Sequence, residues 1–141
     1  MPEADYNSIK PGDSYILYKQ ITEDMVRSFA DFTGDYNPVH IDDSYCKEHG
    51  LDSRIVHGML TISFLSTFIG MHLPGNGAVW LSQRIDFIAP VKIGDTIKIH
   101  GTVIKKDSGN VLGLNIVTIK FRIFNQLDKM VVRGTVKVSV K

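Results

Sequence analysis

Apolar residues recur along this chain with two periods, one suited to strands and one to helices. Ser14 to Lys19 follows the turn Pro11-Gly12-Asp13, where proline presets φ and glycine permits a sharp bend, so a strand is predicted there. A helix is predicted from Thr22, whose hydroxyl can cap free amides. Ile21 and Val26 suit a hydrophobic staple, Glu23 and Asp24 suit the positive helix end, and Met25, Val26, Phe29 and Ala30 share a face. Gly34 is a natural stop. From Asp35 to Arg54 the pattern turns short and polar, with at most one or two helical turns around Asp43 to Glu48, ended by Gly50. Such segments lie on surfaces or line clefts.

From Gly58 to His72 the apolar residues point in nearly every direction when wound at helical period, which predicts a helix buried on most sides. Wrapping material follows at once. Ala78 to Ile88, Thr96 to Lys106, Val111 to Phe124 and Met130 to Val140 alternate or run apolar, with breaks at Pro90, Gly94-Asp95, Asp107 to Asn110 and Gln126 to Lys129. A curved, mainly antiparallel sheet wrapped around one long central helix covers both apolar surfaces: an α+β chain with the hot-dog arrangement. Trp80, Met59, Ile62 and Phe68 are expected in the core. No repeat or linker breaks the pattern, and Pro11-Gly12-Asp13 resembles Ile93-Gly94-Asp95 because both are turns into strands, so residues 1–141 are expected to form one domain.

Composition narrows the function. Lysine and arginine total 16 against 15 acidic residues, which supplies no electrostatic footprint for nucleic acid. Cys46 is the lone cysteine, so an intrachain disulfide is impossible. The start Met1-Pro2-Glu3-Ala4-Asp5 lacks the basic-then-apolar design of a secretory signal. The apolar stretch Met59 to Leu73 is interrupted by polar residues and too short to cross a bilayer. A soluble protein is expected, cytoplasmic or in a matrix-like compartment such as that of mitochondria.

The most unusual stretch is Gly34-Asp35-Tyr36-Asn37-Pro38-Val39-His40-Ile41-Asp42. Asparagine before proline is pushed out of the α region, so the chain turns and can bring Asp35 and His40 to one small space. Adding water across a double bond conjugated to a carbonyl needs a group that takes a proton, one that delivers a proton, and donors for the enolate oxygen. An Asx turn, ordinary loop grammar and a packed histidine explain the same residues without chemistry. Arg54-Ile55-Val56-His57-Gly58-Met59 opens the buried helix with a glycine. Its bare amide, at a helix end that attracts negative charge, can approach a ligand closely; tight packing explains it equally well.

Three segments together resemble the MaoC-like hydratase family, nearest its single-domain (R)-specific enoyl-CoA hydratases. They are Phe29 to Asp42, containing Asp35-Tyr36-Asn37-Pro38-Val39-His40, then Ile55 to Leu60, and Phe87-Ile88-Ala89-Pro90-Val91-Lys92-Ile93-Gly94-Asp95. The likeness runs from about Gly12 to the C-terminus. It implies reversible syn hydration of trans-2-enoyl-CoA to (R)-3-hydroxyacyl-CoA by a homodimer. Asp35 and His40 would be catalytic, with the Gly58 amide as oxyanion hole. Ser66 matches a helix serine near the pair. Apart from the resemblance, Asn37 is expected to fix the active loop rather than react, and His57 either to anchor the loop before the helix or to help shape the oxyanion site. The substrate would be an acyl thioester of coenzyme A or acyl carrier protein, coenzyme A being part of the substrate and no cofactor being required.

Two rivals share the fold: an acyl-CoA thioesterase and a non-catalytic acyl-thioester-binding protein. Many hot-dog thioesterases carry a carboxylate on or beside the central helix, and Gly58 to Leu73 holds no Asp or Glu. Retention of both Asp35 and His40 speaks against a mere binder. Cys46 and His49, three apart, lack a second ligand pair of zinc form, so no metal is expected. Arg54, Lys92, Lys105 and Lys106 are the cations available to coenzyme A phosphates, but isolated surface cations ordinarily serve solubility.

Overall fold

The computed structural model describes residues 3–141; Met1 and Pro2 of the start segment considered above lie outside them. Strand β1, Ser14–Gln20, leads into helix α1, Glu23–Thr33. The α1 start forms as its sequence dictates: Thr22 is the N-cap and its hydroxyl accepts from the Met25 amide at 3.3 Å, while Ile21 and Val26 are wholly buried. Gly34 ends the helix with φ +79°, a left-handed conformation that suits glycine, and its N–H donates to the Ala30 carbonyl.

Two short helices follow, α2, Pro38–Ile41, and α3, Asp43–Glu48. Helix α3 has the expected limits, with Gly50 at φ +74° just beyond. Helix α2 was not expected. Asn37 caps it, accepting from the Val39 amide at 3.2 Å, and proline at its first position needs no hydrogen-bond partner for a missing N–H. Helix α4 spans Gly58–Thr67 and passes into a π-helical segment, Phe68–His72, rather than continuing as one regular helix.

The sheet holds β1, β2 (Val79–Phe87), β3 (Thr96–Asp107), β4 (Ile116–Phe124) and β5 (Met130–Ser139), in the order β1-β3-β4-β5-β2. Every pairing between these strands is antiparallel. Burial on β3 alternates, with Ile97, Ile99 and Val103 turned to the core and Lys98, His100 and Thr102 outward. The predicted strand start at Val111 is too early. Val111 to Asn115 belongs to the β3–β4 connection, where the Asn110 side chain accepts from the Leu112 and Leu114 amides and donates to the Leu114 carbonyl, closing the loop on itself. The two look-alike turns are closed by the same bond: Asp13 accepts from the Lys10 amide and Asp95 from the Lys92 amide.

The sheet wraps one side of α4. Leu60, Ile62, Leu65, Phe68 and Ile69 are buried against it with Ile97, Ile99, Ile119, Phe121 and Val136, in one apolar cluster. The expectation of burial on most sides was too strong. Met59 is 60 % exposed, not in the core, and Ser63, Ser66 and Thr67 are exposed with it. Strand β2 pairs on one side only, with β5, and presents Val79, Leu81 and Phe87 to solvent.

Phe68 fits because β3 carries glycine opposite it. A Cβ at Gly101 would lie 2.5 Å from Phe68 Cζ and 2.7 Å from Cε1. Gly101→Ala forces a fully buried ring to move, so we expect a loss of about 1–3 kcal/mol of stability, read by urea unfolding. A neutral result would mean that the ring has slack the packing does not suggest.

Candidate active site

The polar segment after α1 is held by its own side chains. Asp35 Oδ1 accepts from the Asn37 amide at 3.2 Å, which aims the other carboxylate oxygen toward His40. Asp35 Oδ2 and His40 Nε2 stand 3.9 Å apart. That is beyond hydrogen-bond reach but close enough for one oxygen atom to bond to both. Asp35 is about half exposed and His40 largely enclosed. Asn37 thus does two things, capping α2 with its side chain and holding the carboxylate with its main-chain N–H.

His40 is fixed from behind. Its Nδ1 lies 2.6 Å from the Ile55 carbonyl oxygen, which can only accept, so Nδ1 carries hydrogen and a neutral ring presents the Nε2 lone pair toward Asp35. The Ile55 N–H in turn donates to the Val39 carbonyl at 2.9 Å, tying the two segments together. His57 is buried to 1 % exposure, donates from Nε2 to the Asp35 main-chain carbonyl at 3.0 Å, and stacks on His40 with ring centroids 3.9 Å apart. It thereby ties the start of α4 to the Asp35 segment.

Gly58 begins α4, and no side chain caps that end. The Phe87 ring lies over the glycine: a Cβ there would stand 2.9 Å from Phe87 Cε1. A side chain at position 58 would therefore require the half-exposed Phe87 ring to shift, and the bareness of glycine leaves the amide approachable. Two clefts meet at Gly58 and Phe87. One, of about 350 Å³, is lined by His40, Thr61, Ile88 and Val132 among others; the second, of about 400 Å³, is lined by Phe29, Thr33, Asp35, His57 and Met59. His40 thus lines the first and Asp35 the second. Ser66 is not brought to the pair within one chain. It is exposed eight residues beyond Gly58, about 12 Å along the helix axis, and lines neither cleft.

Arg54 has a role other than the phosphate contact considered from sequence. Its side chain is 12 % exposed; Nη1 and Nη2 fork onto the Glu23 carboxylate and Nε bonds Asp43 at 3.0 Å. The residue before Ile55 is thereby clamped to α1 and α3. Lys106 is also committed, donating to the Tyr6 carbonyl, and Lys92 lies 3.6 Å from Asp52.

Asp35, His40 and His57 bring ligand-type atoms within 4.8 Å of one another, the one such trio among the described residues. The fit to a metal ion is poor. An ion must lie in the plane of each ligating ring, and two rings stacked at 3.9 Å with planes 29° apart offer no common point at bonding distance. Cys46 is buried with its sulfur near the Pro38 and Val39 carbonyls, while exposed His49 stacks on Tyr45, so these two do not converge either.

A carboxylate, a tautomer-fixed imidazole and an uncapped helix start are brought together here, the group types that acid–base chemistry beside a developing anion requires. Residues 9–120 match the MaoC like domain, and the chain belongs to that family. It is 41 % identical over 98 residues to the (R)-specific enoyl-CoA hydratase of Rhodospirillum rubrum, covering 70 % of this chain and 68 % of the relative. It is 33 % identical over 135 residues to the (R)-specific enoyl-CoA hydratase of Aeromonas caviae, covering 94 % and 96 %. The unliganded R-hydratase PhaJ1 from Pseudomonas aeruginosa superposes with a TM-score of 0.88 at 34 % identity, over 98 % of this chain and 86 % of that one.

Hydrogen bonding from Arg54 holds the Glu23 carboxyl below the usual glutamate range. A carboxyl lowered on folding stabilises the fold above its unfolded pKa, and that contribution fades as pH falls through the folded value. Comparing wild type with Glu23→Gln by urea unfolding, we expect wild type to be the more stable at pH 7 and the difference to close under acid. A gap independent of pH would show that the ion pair contributes nothing through ionisation.

Proposed function

We propose that the chain hydrates 2-enoyl thioesters reversibly to (R)-3-hydroxyacyl thioesters, with Asp35 and His40 as the catalytic pair and the Gly58 amide as the oxyanion donor. The observation that carries this is the 3.9 Å gap between Asp35 Oδ2 and His40 Nε2, beside the uncapped start of α4. One water bonded to both has its oxygen aimed at C3. The new C–O bond forms there, the π electrons move into the thioester as an enolate, and the Gly58 amide takes up the negative charge. The pair accepts a proton from the water and returns one to C2 on the same face.

Asn37 and His57 act as positioning residues, the first through the Asp35 carboxylate and the second through the Asp35 carbonyl and the His40 ring. The substrate is a thioester of coenzyme A or of acyl carrier protein, and the reaction as written consumes only thioester and water. Among the described residues no helix is long and apolar enough to cross a membrane. We place the reaction in a cytoplasmic or matrix-like compartment, to which the free thiol of buried Cys46 is suited.

A homodimer joined along β2 completes the reading. That strand has an unpaired edge and exposed Val79, Leu81 and Phe87, and proteins ordinarily cover such an edge. The exposed α4 face carrying Met59, Ser63 and Ser66 gives the partner a second surface, which is the setting in which Ser66 would meet a site. Sedimentation equilibrium is expected to give a dimer that Leu81→Lys weakens; a wild-type monomer at assay concentration would remove this assembly.

Purified protein added to crotonyl-CoA should abolish the enoyl-thioester absorbance without releasing thiol. Asp35→Asn and His40→Ala should each lower turnover about 10²- to 10⁴-fold. A loss under threefold in folded Asp35→Asn removes the assignment of the pair. Thiol release would identify a thioesterase, and binding without turnover an acyl-thioester sensor.

A further inference from the structure

His40 depends on a carbonyl outside its own segment. Its Nδ1 donates to the Ile55 oxygen, fifteen residues further along the chain, at 2.6 Å. A neutral imidazole takes the tautomer that its fixed hydrogen bond selects. Without an acceptor held at Nδ1 the proton is free to move to Nε2, and the lone pair aimed at Asp35 is then lost. Where the Ile55 carbonyl stands therefore decides what His40 presents to the carboxylate 3.9 Å away.

Main-chain bonds hold this segment at two points, from the Ile55 N–H to the Val39 carbonyl at 2.9 Å and from the Val56 N–H to the Val91 carbonyl at 2.8 Å. Neither reaches α1 or α3, the helices that precede and follow α2 and its His40. The neighbouring side chain does. Arg54 forks Nη1 and Nη2 onto Glu23, the first residue of α1, and bonds through Nε to Asp43, the first residue of α3, at 3.0 Å. Both partners are carboxylates, the side chain is 12 % exposed, and bonds between ionised groups in a fork are directional as well as strong. A lysine could supply the charge but not the planar fork that engages two helices at once.

We propose that Arg54 is a positioning residue for His40: by binding the first residues of α1 and α3 together, it sets the Ile55 carbonyl against Nδ1, keeping the proton there and the Nε2 lone pair toward Asp35. Arg54 then acts on the reaction through the ring and touches no substrate. This rests on the hydratase reading for the rate it affects, but not for the tautomer it fixes.

The test reads the ring nitrogens by 15N NMR in wild type, Arg54→Met and Arg54→Lys, alongside hydration of crotonyl-CoA. Wild-type His40 should be protonated at Nδ1, while His57, bonded through Nε2 to the Asp35 carbonyl, shows the opposite tautomer and serves as internal reference. In Arg54→Met the His40 ring should become a mixture of tautomers and His57 should not, and kcat should fall about 10- to 100-fold with KM unchanged. Arg54→Lys should recover little of that loss despite its charge. Should Arg54→Met fail to fold, Glu23→Gln makes the same comparison with a smaller effect in the same direction, because an amide oxygen accepts only one arm of the fork. An unchanged His40 tautomer, with lower resistance to urea as the sole effect, overturns the proposal, and so does a mixed ring with unchanged kcat. A wild type without hydratase activity removes the hydratase reading instead, and the nitrogen spectra alone then decide whether Arg54 fixes the ring.

Discussion

Leu60, Ile62, Leu65, Phe68 and Ile69 lie on a helix that has to be covered, and the other elements arrange themselves around that need. Each such side chain contributes roughly 1.5–3 kcal/mol when fully buried, so the sheet is held curved about α4 by its own core face. The demand reaches the backbone at Gly101, where β3 gives up a side chain to admit Phe68. It also sets where α4 starts. The helix N-terminus is fixed at the mouth between Phe87 and His40 because the apolar turns behind it are locked in place.

The site is therefore a rigid end of a core element met by a loop. The loop is orderly for local reasons: Asn37 caps one short helix and orients Asp35, and Asp42 caps the next, accepting from the Tyr45 amide. Arg54 joins this region to α1 by bonds that no single segment predicts. The proposed role of Asp35 and His40 calls for such cross-links, since a displacement of an ångström can cost about 10²-fold in rate.

How much could be read from the chain follows from the range of the forces involved. The Thr22 cap, the Gly34 stop, the limits of α3 and the alternation of the strands are set by neighbours a few residues away, and all stand in the sequence. So does the convergence of Asp35 and His40, five residues apart around an Asn-Pro turn. Helix α2 was hidden because a single turn has no period to detect, and Val111 looked like strand because apolar character alone does not reveal that Asn110 folds the loop. The Ile55 carbonyl behind His40, Phe87 over Gly58 and the Glu23–Arg54 fork join segments far apart in sequence, where no local pattern carries a signal. Met59 was misplaced since periodicity says which residues share a face, not whether that face is covered.

The uncapped beginning of α4 has a bearing on engineering. A capping side chain commonly adds about 1 kcal/mol to a helix, and position 57 forgoes it, spending its ring instead on His40 and the Asp35 carbonyl. Selection for heat tolerance would find this an inviting place to improve: a serine or aspartate there would satisfy the free amides. Such a side chain would take up the Met59 or Leu60 amide, but it would give up the His57 ring and with it the bond to the Asp35 carbonyl and the stack on His40, so stability of the helix and order of the loop are set against each other at a single residue.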